Sequence, residues 1–295
     1  MVQSKTIAYR IGSVLIYVVL AFAAFLSLVP LINTVAVSLS SSAAANAGLV
    51  YFLPKGFTWS SYEKILGDTA FWRAFLVSVE RVILGGGLNM LMVIFMGFPL
   101  SRSTQQFKYR NIYMWFLMFT MLFSGGIIPT YMVVNKLGLI NTIWSLILPG
   151  AVPVFNVILL MNFLRGLPPA LEEAAIMDGA SPLTVLFKVF LPLAIPSLAT
   201  IALFTIVGQW NSFFDGLIYI NDQAKIPLQT YLQQLALQNQ MKATMTPTEL
   251  INLAKVSQTT LNSAKILVSM IPILLVYPFL QRYLIHGLVL GSVKE

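Results

Sequence analysis

Six apolar stretches alternate with polar segments along the chain, at 11–37, 75–100, 112–134, 142–164, 191–210 and 266–284. Each approaches or exceeds the roughly 20 residues that a helix needs to cross the hydrocarbon core of a bilayer. None shows the strict alternation of a half-buried strand. The pattern predicts an all-α integral membrane protein with about six transmembrane helices. The first stretch follows Lys5 and Arg10, as a signal peptide would, but its apolar run far exceeds the 7–15 residues of a cleavable segment. It reads as a retained signal anchor.

Composition strengthens this picture. Hydrophobic residues make up 58% of the 295 and charged residues only 9%, against about 25% charged in a soluble domain. The net charge of +8 is spread among apolar spans, which favours membrane topology over nucleic-acid binding. The loop at 101–111 carries Arg102, Lys108 and Arg110, whereas the opposite loop at 135–141 carries only Lys136. Basic residues in short loops stay inside. The loop after span two is therefore expected to be cytoplasmic, as are both termini. The longer segments at 38–74 and 211–265 then face outward.

Prolines punctuate the spans at Pro30, Pro99, Pro149, Pro153, Pro196, Pro272 and Pro278. Membrane helices tolerate them where neighbouring groups re-satisfy the backbone. Gly85-Gly86-Gly87 gives span two a surface free of side chains, suited to close helix contact. No repeat or low-complexity linker divides the sequence, so a single domain over 1–295 is expected. Within the outward segment at 211–265, 227–235 is a candidate helix. Thr246-Pro247-Thr248-Glu249 matches a capping box.

The most informative stretch is 166–192, GLPPALEEAAIMDGASPLTVLFKVFLP, between spans four and five. Pro168 and Pro169 can open a helix, because its first position needs no backbone donor. Glu172 and Glu173 lie in its first turns, where carboxylates complement the positive dipole end. Gly179 can end it in a left-handed conformation. Ser181 can cap a second helix that has Pro182 at its first position. The expected product is a cytoplasmic helix–turn–helix elbow whose small alanines allow close approach.

This stretch resembles the EAA motif of binding-protein-dependent ABC importer permeases. The likeness rests on Glu173-Ala174-Ala175, then Asp178-Gly179-Ala180, then Val189-Phe190-Leu191-Pro192. Val189 stands where isoleucine is usual. The segments at 129–150 and 208–214 (GQWNSFF) are similar to the matching regions of MalG-type carbohydrate permeases, especially the oligosaccharide and polysaccharide branch. The resemblance implies a cytoplasmic coupling helix in the bacterial inner membrane, formed here by Glu172, Glu173, Ala174, Ala175, Asp178, Gly179 and Ala180, with Pro192 closing the motif. It implies a second, similar permease subunit and two ATP-binding subunits that carry ATP and Mg. It also implies an extracytoplasmic solute-binding protein that delivers a sugar. This chain would bind no cofactor and would work by alternating access.

One independent feature agrees. The sequence has no G-x-x-x-x-G-K-[ST] phosphate loop, so any ATP must bind elsewhere. Candidates for the substrate path are Trp210, Asn211, Phe213, Phe214 and Asp215, because aromatic faces and polar acceptors suit sugars. Glu80 and Arg81 are further candidates, because charges within spans are costly and often functional. Their bland reading is a structural pair or groups reaching the interface; that of the aromatic cluster is an interfacial belt.

Other classes fare worse. Cysteine is absent and there is one histidine, His286, which leaves no multi-histidine or thiolate metal site and no catalytic residue to nominate. An intramembrane enzyme would need metal-binding histidines beside Glu172-Glu173, or a serine paired with His286. An ion-coupled secondary transporter using Glu80 and Arg81 is the stronger alternative, but it leaves the elbow unexplained.

Overall fold

A computed structural model describes residues 7–242 and 258–292; the capping box at 246–249 lies outside them. Every regular element among the described residues is helical. In chain order these are α1 (Ile7–Ser38), α2 (Ser42–Asn46), α3 (Ser60–Leu66), α4 (Thr69–Ser101), α5 (Arg110–Leu122), α6 (Ile127–Lys136), α7 (Ile143–Ile147), α8 (Val154–Arg165), α9 (Pro169–Met177), α10 (Pro182–Thr184), α11 (Leu191–Leu193), α12 (Ile195–Asn211), α13 (Phe214–Tyr219), α14 (Leu228–Lys242) and α15 (Gln258–Ser292). A 3₁₀ turn at Leu148–Gly150 follows α7, and a π-helix at Val185–Phe190 joins α10 to α11. The candidate helix at 227–235 is the start of α14.

Expectation and structure part at the spans. Three are single helices with apolar stretches at Tyr9–Ser38, Thr69–Ser101 and Thr259–Phe279. The other three are not straight crossings. Arg110–Leu122 and Ile127–Lys136 meet at 113°, Ile143–Gly150 and Val154–Arg165 at 47°, and Pro182–Leu193 and Ile195–Asn211 at 82°. The causes are local. After α5 the chain extends at Phe123, and Gly126 then takes a φ of +86°. That left-handed conformation is one glycine adopts at little cost. The 47° bend contains Pro149, Gly150 and Pro153. The 82° bend falls at Ala194, between Pro192 and Pro196, neither of which has a backbone donor to continue a helix across it. Pro30, Pro99, Pro272 and Pro278, by contrast, sit inside continuous helices.

The chain divides into two compact units, 1–69 with 235–270 and 70–234 with 271–295. In the first, Asn33 donates to the carbonyls of Val50 and Tyr51 at 3.2 and 2.7 Å, tying the loop after α2 to α1. Lys265 is buried and pairs with Asp68 at 2.6 Å.

In the second unit, the core joins Val93 and Leu100 of α4, Leu117 of α5, and Val157, Leu160, Met161 and Leu164 of α8. Val185, Phe190, Ala194 and Ile201 complete it. The elbow's second arm thus enters the core, whereas the first, with no fully buried residue, touches it through half-buried Ala175.

Candidate functional site

The elbow forms as its residues dictate. Pro168 is the cap of α9 and Pro169 its first residue. Gly179 has a φ of +81°. Its amide donates to the Ile176 carbonyl at 2.9 Å, and the Ala180 amide to the Ala175 carbonyl at 3.0 Å. Together these bonds make a Schellman closure, which satisfies two of the helix's orphan carbonyls. Ser181 is extended, and its hydroxyl accepts from the Thr184 amide at 3.3 Å. The second arm then widens into the π-helix, which the sequence pattern did not predict.

The elbow's side chains divide into two sets. Ala175 and Ala180 pack against the core. Glu173, Ala174, Ile176, Met177, Asp178, Gly179 and Pro192 are exposed. Met177 is 86% exposed and Leu183, just past the turn, 58%. An apolar tip of this kind on a tightly closed turn is a surface shaped for a partner.

The adjacent glutamates separate. Glu173 faces out, whereas Glu172 pairs with Arg102, and the two side chains are only 17% and 11% exposed. Arg102 lies one residue past α4. Its guanidinium sits over the rings of Phe98, at 4.6 Å, and Phe190, at 4.4 Å. It also donates to the Ser101 hydroxyl at 3.0 and 3.2 Å. In the sequence Arg102 counted only as a topology marker. Its partners lie too far along the chain for spacing to reveal them.

A second polar constellation lies toward the opposite end of α4. Arg81 is 3% exposed. It pairs with Asp215, through a 3.0 Å bond to Oδ1 and a shorter one to Oδ2. It donates to Gln209 at 2.9 Å and to the Leu146 carbonyl at 3.3 Å. Gln209 donates to Asn89 at 3.0 Å, and Asn89 donates to the carbonyls of Gly150 and Ala151 at 2.8 and 2.9 Å. Those carbonyls belong to the broken fourth span, so α4 supplies the donors that the bend leaves unmet. Of the two bland readings of Glu80 and Arg81, a mutual pair does not form; Arg81 pairs with Asp215 instead. Adjacent helical residues point about 100° apart, and Glu80 is exposed on the other side.

The aromatic cluster also divides. Trp210 is 4% exposed and packs edge-on against Phe75 at 5.5 Å. Asn211, Phe213 and Phe214 are exposed. A cavity of about 250 Å³ is lined by Phe214 and Asp215, with Ser124, Thr130 and Tyr219 among its other walls. Burial, and secondarily the Asp215 carboxylate, hold the Tyr219 phenol above its ordinary pKa, so it lines this cavity as a neutral group. The Asp215 carboxylate is engaged by Arg81, the Ser212 hydroxyl and the Gly216 amide. Among the described residues no group of three or more acidic or histidine side chains is placed to hold a metal.

Comparison with known proteins identifies the family. The family described as binding-protein-dependent transport system inner membrane component matches residues 3–289. A polygalacturonan/rhamnogalacturonan transport system permease protein, YtcP of Bacillus subtilis (strain 168), is 37% identical, over 97% of this chain and 99% of its own. Protein LplC of the same organism is 39% identical, over 91% and 90%. Among solved structures, a bacterial ABC transporter involved in the import of the acidic polysaccharide alginate contains a chain that superposes with a TM-score of 0.85. It is 31% identical, over 96% of this chain and 99% of that one.

Proposed function

The chain belongs to the family of binding-protein-dependent transport system inner membrane components, and we propose that it forms half of the translocation path of an ATP-driven importer for oligosaccharides or polysaccharide fragments. A second permease chain completes the path. Two ATP-binding subunits grip the elbow on the cytoplasmic side of a bacterial inner membrane, with both termini on that side. A solute-binding protein delivers the sugar from outside. Closure of the ATP-binding subunits displaces the elbows, and rocking of the helices opens the path outward.

The observation that carries this reading is the elbow: a Schellman-closed turn at Gly179 that presents Glu173, Met177 and Leu183 to the surroundings. Among the described residues this tip is left largely uncovered. Acidic sugars are the substrate class to test first, because YtcP and the alginate importer are named for acidic polysaccharides. Exposed Asn211, Phe213 and Phe214 are the proposed sugar contacts. Trp210 supports them from behind, and Arg81 with Asp215 fixes the backbone that carries them. Glu80 is the remaining proposed path residue.

The test is Gly179→Val in the complete complex. A β-branched residue is strained at positive φ, although open space surrounds this position. The expected result is normal membrane insertion with loss of uptake and of binding-protein-stimulated hydrolysis. Wild-type uptake by this variant overturns the docking role.

A further inference from the structure

We infer that Arg102 is the positioning residue that transmits displacement of the elbow to α4. The inference rests on reading the elbow as the site of ATPase docking. Three parts of the chain meet at one planar cation. Phe98 of α4 covers one region of the guanidinium, Phe190 at the end of the π-helix covers another, and Glu172 of α9 takes its hydrogen bonds. Both arms of the elbow are therefore tied to the same end of the same long helix.

This ion pair links the first arm to the end of α4, beside the packing of Ala175 against the core. The helix α9 buries no residue. Cavities of about 380 and 340 Å³ are each lined by both Arg102 and Glu172. Both open depressions border the pair, which lies where α9 faces the loop after α4. Arg110 secures the receiving end, its Nε donating to the Leu100 carbonyl at 2.8 Å and capping α4. Further along α4, Arg81 and Asn89 hold the bent fourth span. Through these bonds α4 connects the elbow's end to the carbonyls of the bent fourth span.

Arginine suits this task where lysine does not. A rigid fork that stacks on rings while binding a carboxylate fixes an angle as well as a distance. Lysine keeps the charge and most of the bulk but supplies a single point contact.

The experiment uses the complete transporter in proteoliposomes, with its partner permease, ATP-binding subunits and binding protein, and reads uptake per ATP hydrolysed. The variants are Arg102→Lys, Glu172→Gln and the exchange Arg102→Glu with Glu172→Arg. For Arg102→Lys the expected result is full retention of the ATP-binding subunits and of basal hydrolysis. Uptake per ATP falls about tenfold in each single variant, within the usual range of coupling between sites. The exchange recovers part of that loss, which simple destabilisation would not produce. Wild-type uptake per ATP in Arg102→Lys and Glu172→Gln overturns the inference, as does an exchange variant no better than the single ones. A wild-type chain that retains no ATP-binding subunit instead overturns the docking reading itself.

Discussion

The two ends of α4 solve the same problem in different ways. Each pairs an arginine with a carboxylate from a helix far along the sequence, and the two arginines lie about 30 Å apart at ~1.5 Å per helical residue. Around Arg81 hydrogen-bond acceptors crowd the guanidinium. Asp215, Gln209 and two backbone carbonyls accept its hydrogen bonds, and the group is buried. Around Arg102 the neighbours are two aromatic rings, one hydroxyl and one carboxylate, bordered by two open depressions. The first arrangement has one geometry and holds a broken span in place. The second joins the elbow to α4 through two ring faces and one carboxylate. The difference separates a staple from a joint, although both appear as a simple ion pair.

The sharpest way to break this comparison is to remove each carboxylate. Asp215→Ala leaves Arg81 charged and buried without its principal partner, which typically costs about 3–5 kcal/mol. The thermal midpoint of the detergent-solubilised complex should fall steeply, with reduced yield. Glu172→Gln should move that midpoint less, because glutamine keeps the shape and a hydrogen-bond acceptor and Arg102 keeps its ring contacts, while uptake per ATP falls. Equal thermal losses in the two variants would erase the distinction. A smaller effect is expected at the elbow's second cap. Ser181→Ala removes the acceptor for the Thr184 amide and should cost about 1 kcal/mol locally. Faster hydrogen exchange at the start of α10, with unchanged exchange along α12, would report it.

Much of the elbow was legible because its determinants are local. Proline at a first turn, glycine at a left-handed stop and serine at a cap act within a few residues, and all appear where spacing placed them. The apolar lengths likewise revealed the existence of the spans. Their straightness was not legible, since the same proline that leaves α4 continuous at Pro99 accompanies a break near Pro196. Whether a proline breaks a helix depends on which side chains across the interface meet the freed backbone groups. The ion pairs were hidden for the same reason. Arg81 and Asp215 are separated by 134 positions, and nothing in the local sequence of either residue names the other. Only the partition of Glu172 from Glu173 had a local trace, in that adjacent helical residues cannot share one face.

The run Gly85-Gly86-Gly87 offers the finest test of the staple, because three identical residues in one helix meet three different environments. A methyl group added at Gly85 would lie 3.1–3.2 Å from the side-chain amide of Gln209. That amide would have to give way, and it accepts from Arg81 and donates to Asn89. At Gly86 the nearest atom is the Thr205 methyl at 3.8 Å, an ordinary contact, and at Gly87 nothing lies within 4 Å. Gly85→Ala should therefore cost about 1–2 kcal/mol through disturbed hydrogen bonds. Gly86→Ala should be close to neutral, and Gly87→Ala should be neutral or stabilising by up to ~1 kcal/mol, since alanine favours helix over glycine. Thermal midpoints of the three variants in one detergent give the ranking directly. If Gly85→Ala proves as benign as Gly87→Ala, Gln209 can move without loss, and the constellation around Arg81 is as compliant as the one around Arg102.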